Sequence, residues 1–194
     1  PDVAVATNNL AALHLEMGDL ETAETHYSDA LTIWRQVLGT EHSDQSTALI
    51  GFARLHRRQG LLQAGVDSVD RAVTLLRQSR TAPDQLVDAL VLRAELQKSL
   101  GAMIEAERDL GDAVSIAESL RVDFGGGDIE RAAFFAKYAD ALDMTVELKL
   151  DLGDAASAFE YVERGRARLL LDQMAFGSID ASTGVDPDLW SLLQ

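Results

Sequence analysis

Three arginines, Arg54, Arg57 and Arg58, are spaced so that on a helix they share about one face. The chain carries a formal net charge of −15, so a local basic cluster stands out. A guanidinium presents a planar fork of donors that matches a carboxylate. Two uses are open for the cluster. It can form salt bridges to neighbouring acidic residues of the same chain, or it can anchor an acidic peptide or side chain of a partner.

The other chemically able residues point away from catalysis. His14 and His56 lie 42 residues apart, each four residues before a glycine, which reads as packing at equivalent places. His26 and His42 lack a carboxylate at zinc-ligand spacing. Cysteine is absent, which excludes disulfides, thiolate zinc sites and a cysteine nucleophile within the chain. Acidic pairs such as Glu21/Glu24 and Asp140/Asp143 read as solvated helix faces, because catalytic carboxylates need a pocket that separates their pKa values. The run FGGGD, Phe124 to Asp128, has no Gly-Lys-Ser/Thr and no preceding strand, so it reads as a connection between units. No catalytic, cofactor or metal site is expected.

The strong negative charge repels phosphate backbones and anionic headgroups, so neither nucleic acid nor membrane is an expected partner. No apolar run approaches the roughly 20 residues that span a bilayer. No secretory signal pattern opens the chain. The absence of cysteine fits a reducing cytoplasm. The first residues already read as the middle of a helix and lack an initiator Met, so the true N-terminus is expected upstream of Pro1.

The elements that must position these side chains emerge from a repeat. Gly18, Gly60, Gly101 and Gly153 follow apolar-periodic runs and stand 42, 41 and 52 residues apart. Five residues after each glycine comes a small residue: Ala23, Gly65, Ala106 and Ala158. Twelve after comes another: Ala30, Ala72, Ala113 and Gly165. Between them falls a larger apolar residue: Tyr27, Val69, Leu110 and Val162. Seven before each glycine lies Ala11, Ala53, Ala94 or Val146. Small residues in fixed places let two helices approach closely, and the large one fills the gap.

Apolar spacing predicts eight main helices, near 2–17, 20–38, 44–59, 62–79, 83–100, 103–121, 128–152 and 154–175. Leu20, Ala23, Tyr27, Ala30, Leu31 and Trp34 follow one helix face. Pro83 suits a first helical turn and Asp128 an N-cap. No sustained alternation suggests a strand. The expected fold is all-α, a right-handed superhelical solenoid of antiparallel helix pairs. Its repeats fall near 2–38, 44–79, 83–121 and 128–175, giving a domain over 1–175. Residues 176–194 read as a linker and the start of a further helix near Pro187, or as a truncated downstream region.

The run TNNLAALHLEMGDLETAETHYSDALTIWRQVLGTEH, Thr7 to His42, resembles the 42-residue tetratricopeptide repeat of kinesin light chains. The resemblance implies a protein or peptide held in the concave groove, lined by the first helix of each pair. Asn9 then matches an asparagine that bonds the main chain of a bound peptide, with Asn8 beside it. An amide can donate and accept at once, so it suits an extended backbone. The ladder is broken further on, where Ile50 and Gly51, then Val91 and Leu92, stand in the paired-Asn places. The groove residues expected to meet a partner are Asn8, Asn9, Arg54, Arg57 and Arg58.

A second resemblance lies in AFEYVERGRARLLLDQMA, Ala158 to Ala175. It is similar to the segment preceding a CHAT domain, a caspase-like protease module, in bacterial tetratricopeptide proteins. That likeness implies a protease module beyond Gln194, with which Arg164, Arg166 and Arg168 could make contact. These arginines also complement the negative end of their own helix, and Glu160 can pair with Arg164. The expected function is a protein-interaction scaffold. The alternative is the sensor or dimerisation arm of a signalling or transcription regulator.

Overall fold

The glycines identified from the sequence end helices as expected. In the computed structural model, Gly18, Gly60, Gly101 and Gly153 all have positive φ, between 75° and 81°. Each sits in the same hydrogen-bonded stop. Its own N–H bonds the carbonyl three residues back, and the next N–H bonds the carbonyl five residues back, as in Gly18 to Leu15 and Asp19 to His14. A side chain at positive φ would be strained, so glycine is what allows the sharp turn into the second helix.

The structure describes residues 2–123 and 128–175. Among them are eight helices and no strand: α1 (Asp2–Met17), α2 (Leu20–Leu38), α3 (Gln45–Arg58), α4 (Leu62–Ser79), α5 (Pro83–Ser99), α6 (Met103–Asp123), α7 (Asp128–Asp151) and α8 (Ala155–Ala175). The sequence-based bounds agree to within two residues at every end. The expected connection at Phe124 to Gly127 and the expected linker and short helix after Phe176 lie outside the described residues. No helix among the described residues is long and apolar enough to cross a membrane.

Contacts divide the chain into two compact units, Pro1–Ala141 and Leu142–Gln194, with the boundary inside α7. In the first unit, α1 packs on α2, α3 on α4 and α5 on α6. Successive pairs are joined because α2 also packs on α3, and α4 on α5. The first helices additionally touch one another, α1 to α3 and α3 to α5, whereas α2 and α4 do not meet. One face is therefore made of α1, α3 and α5 side by side.

The small residues behave as the spacing predicts. Ala11, Ala23, Ala30, Ala53, Ala72, Ala94, Ala106 and Ala113 are fully buried, with Tyr27, Val69 and Leu110 between them. Gly65 takes the small place in α4, where an added Cβ would lie 3.2 Å from Leu96 and 3.3 Å from the Ala53 carbonyl. In the second unit Leu142, Thr145, Leu148 and Ala158 are buried. The unit's close approach is at Gly165, where a Cβ would come within 3.3 Å of Leu142.

Candidate functional site

The α1–α3–α5 face carries two separate hollows, and four of the five groove residues divide between them. Arg54 and Arg57, one turn apart on α3, line a hollow of about 200 Å³ with Asp88, Val91, Leu92, Glu95 and Asp140. Asn8 and Asn9 line another of about 330 Å³ with Trp34, Asp44, Thr47 and Gln85 among its walls. Arg58 borders neither.

Within the first hollow the two arginines differ. Arg57 is paired with Glu95, so its charge is already met inside the chain. Arg54 is exposed and makes no salt bridge or hydrogen bond among the described residues. Its charge is felt by Tyr27 of α2. Burial pushes the Tyr27 hydroxyl above its ordinary pKa, and the Arg54 charge pulls the other way. Surrounding acids make the hollow mixed in sign rather than basic.

Arg58 has a structural task. Its Nη1 donates to the Leu15 carbonyl at 2.6 Å, and Nη2 to Glu16 at 3.2 Å. Both acceptors belong to the last turn of α1, where a cation complements the negative end of the helix. Arg58 thus ties the second pair to the first. The three-and-four spacing could not separate it from its neighbours, since it fixes a face but not how far a long side chain reaches.

In the second hollow Asn9 is exposed while Asn8 is only 6% exposed. The Oδ1 of Asn8 and the Nε1 of Trp34 are both buried without a hydrogen-bond partner among the described residues. Sequence reasoning missed Trp34, which it placed with the packing residues of α2, and Gln85. Ser46 Oγ donates to Gln85 Oε1 at 3.3 Å, linking the starts of α3 and α5 along this edge.

The break in the asparagine ladder has a steric cause. A Cβ at Gly51 would meet the Tyr27 ring at 2.2 Å, so the glycine is what lets the ring of α2 lie against α3. Tyr27 also packs against Phe52, with ring centroids 5.5 Å apart.

The histidines pack as their repeat positions suggest. His14 lies 5.5 Å from His26 and 3.1 Å from Asp19, and His56 stacks on Phe52 and meets Ser68. No group of three His, Cys, Asp or Glu among the described residues could hold a metal ion. On α8, Arg166 pairs with Glu163, and Arg164 lies 5.9 Å over the Tyr161 ring. The side chain of Arg168 lies outside the described residues.

With this geometry in view, a family model decides the class of the helix pairs: the tetratricopeptide repeat model matches residues 2–78. Over these residues the chain is similar to tetratricopeptide repeats. The matched stretch is α1 to α4, and α5 with α6 continues its pattern of contacts. Among curated proteins nothing matches. Solved structures of similar fold include BtubC (BKLC) from P. vanneervenii, at 16% identity and a TM-score of 0.69. That alignment covers 95% of this chain and 66% of the other, just under two thirds of its length. Two structures of kinesin light chain nearly identical TPR-like repeats from Podosopora anserina are also similar. One has 18% identity, a TM-score of 0.66 and coverage of 84% and 72%. The other has 20% identity, a TM-score of 0.55 and coverage of 93% and 96%. At these identities the likeness concerns the fold of the tetratricopeptide units.

Proposed function

We propose that the chain is a protein-interaction scaffold whose α1–α3–α5 face holds a protein or peptide segment of a partner. Arg54 is the contact for a partner carboxylate. The observation that carries this reading is the unpaired, exposed guanidinium of Arg54 on a face where every neighbouring arginine is engaged. Main-chain groups of helices bond one another, so recognition on such a face falls to side chains. The chain itself performs no chemistry in this reading. It belongs to a larger cytoplasmic bacterial protein, in which the Ala158–Ala175 likeness supports a CHAT-type protease further along.

A photocrosslinking amino acid placed at Arg54, and separately at exposed Thr74 on α4, tests the face in the native host. A partner adduct from position 54 that is absent from position 74 is the expected result. Equal adducts at both positions, or none at 54, overturn the reading. The sequence beyond Gln194 tests the second part. A His and a Cys in a caspase-like α/β pattern are expected, and a DNA-binding or kinase module there would replace the protease with a regulator.

A further inference from the structure

We propose that the free side of α1 binds a second copy of this chain, the two α1 helices packing antiparallel across a two-fold axis. No residue of this contact lines either hollow, so it stands apart from the partner-binding reading of the α1–α3–α5 face.

Val3, Ala6, Leu10, Leu13 and Met17 follow the three-and-four spacing of a coiled-coil seam. At about 100° per residue this stripe lies almost opposite Ala4, Asn8, Ala11 and Leu15, the buried side of α1. It stands open among the described residues. Val3 is 67% exposed, Leu10 41%, Leu13 55% and Met17 61%, and Ala6 is exposed with them. The same places on the next two first helices are closed. Counted from the glycines, Ala48 and Ala89 stand where Ala6 does, and Leu55 and Leu96 where Leu13 does. All four are fully buried. Leu96 shows how the closure works: it lies so near Gly65 of the preceding α4 that a Cβ there would come within 3.2 Å. A leucine on this side packs over a small residue of a neighbouring helix.

A second α1 supplies that small residue. With the helices antiparallel about an axis near Leu10, Leu13 of each copy comes over Ala6 of the other, and Val3 over Met17. Large meets small twice. Parallel helices would set Leu13 on Leu13 and leave a gap between the two Ala6 side chains. Charge favours the same place. Two chains of net charge −15 repel each other. Yet α1 has only Asp2 and Glu16 as acids, and Arg58 already pairs with Glu16. A helix of 16 residues is about 24 Å long, so the contact is smaller than the roughly 800 Å² per partner of a standard interface. The dimer therefore forms and dissociates in the micromolar range.

Sedimentation of the whole chain, from low micromolar to near-millimolar concentration, reads the association. The mass is expected to rise toward that of two chains. Leu13→Glu is expected to weaken association about tenfold or more, because it carries a charge into the contact. Helicity and melting should be retained, since Leu13 is exposed in the single chain. Ile104→Glu, at an exposed residue of α6, is expected to leave the dimer as it is. Leu10→Cys gives a chain with one thiol, since cysteine is otherwise absent. A short bis-maleimide should then join two copies through position 10, which a head-to-tail contact would keep apart. A parent that stays monomeric throughout overturns the second copy as the occupant of this face. Equal weakening by Ile104→Glu, or a dimer that fails to cross-link at position 10, overturns the two-fold α1 contact.

Discussion

Arg93 donates through Nε and Nη2 to the two carboxylate oxygens of Asp109, each at 2.6 Å, fastening α5 to α6. Its third nitrogen, Nη1, reaches Asp70 of α4 at 2.8 Å, so one guanidinium joins three helices. The Arg93 side chain is 15% exposed and that of Asp109 4%. Burial opposes the charge on Arg93, but the bonds to Asp109 and Asp70 prevail and raise its pKa. Removing one partner would leave the other charge buried and alone, so Arg93→Phe should cost about 3 kcal/mol. In the second repeat Phe52 and Ser68 hold the equivalent places. Importing both, as Arg93→Phe with Asp109→Ser, should recover most of the loss. A urea-unfolding double-mutant cycle measures this, and purely additive losses would refute the coupling.

The helices and their partners were legible because they follow from local chemistry. Glycine at a helix end and small residues at fixed distances from it have one physical meaning wherever they occur. What stayed hidden depends on reach across the fold. Arg93 stands where the first two repeats have Leu10 and Phe52, but its partner Asp109 lies on the next helix. Arg58 looked like a groove cation, and only the packing of α3 on α1 brings it to the Leu15 carbonyl, 43 residues back. Asn8 was legible as a groove residue only through the likeness of its run to a known repeat. Its shared hollow with Trp34 arises from how three helix starts and α2 converge.

Gly51 should resist restoration of the asparagine ladder. Gly51→Ala gains about 1 kcal/mol of helix propensity. It also drives a Cβ into the Tyr27 ring, an overpacking that costs about 1–3 kcal/mol. The net effect is expected to be a loss of about 1 kcal/mol, and Gly51→Asn should lose more. Tyr27→Ala removes the obstacle, so against that background Gly51→Ala should stabilise. Thermal melts of the four chains decide it, and a stabilising Gly51→Ala in the parent would contradict the contact.

Arg54 and Arg58 should separate cleanly. Arg58→Ala removes a charged donor from the end of α1 and should cost about 1 kcal/mol, a figure lowered from the usual range by its partial exposure. Arg54→Ala touches no partner within the chain and should stay within about 0.5 kcal/mol of the parent. Partner binding should respond in the opposite order, with Arg54→Glu weakening capture most. Chemical denaturation and a binding assay on the same two variants provide the comparison. Matching stability losses would show that the two arginines do the same job.

Acid should loosen the chain partly through two helix starts. Asp19 accepts from the Thr22 N–H and Asp154 from the Ser157 N–H, and these bonds hold both carboxyls below the ordinary aspartate pKa. His14 and Lys149, equivalent places five residues earlier, add a smaller pull in the same direction. A depressed pKa in the folded chain means that the stabilisation is present above the unfolded value of about 3.9 and is lost as pH falls through the lower folded value. The parent should therefore lose these contributions below about pH 4. Asp19→Asn with Asp154→Asn keeps an acceptor oxygen at each cap but cannot titrate. Its melting temperature should sit below that of the parent at neutral pH and converge with it as pH falls toward about 2. Because every other carboxyl is common to both chains, the difference between the two curves isolates the caps, and parallel curves would rule them out as the source.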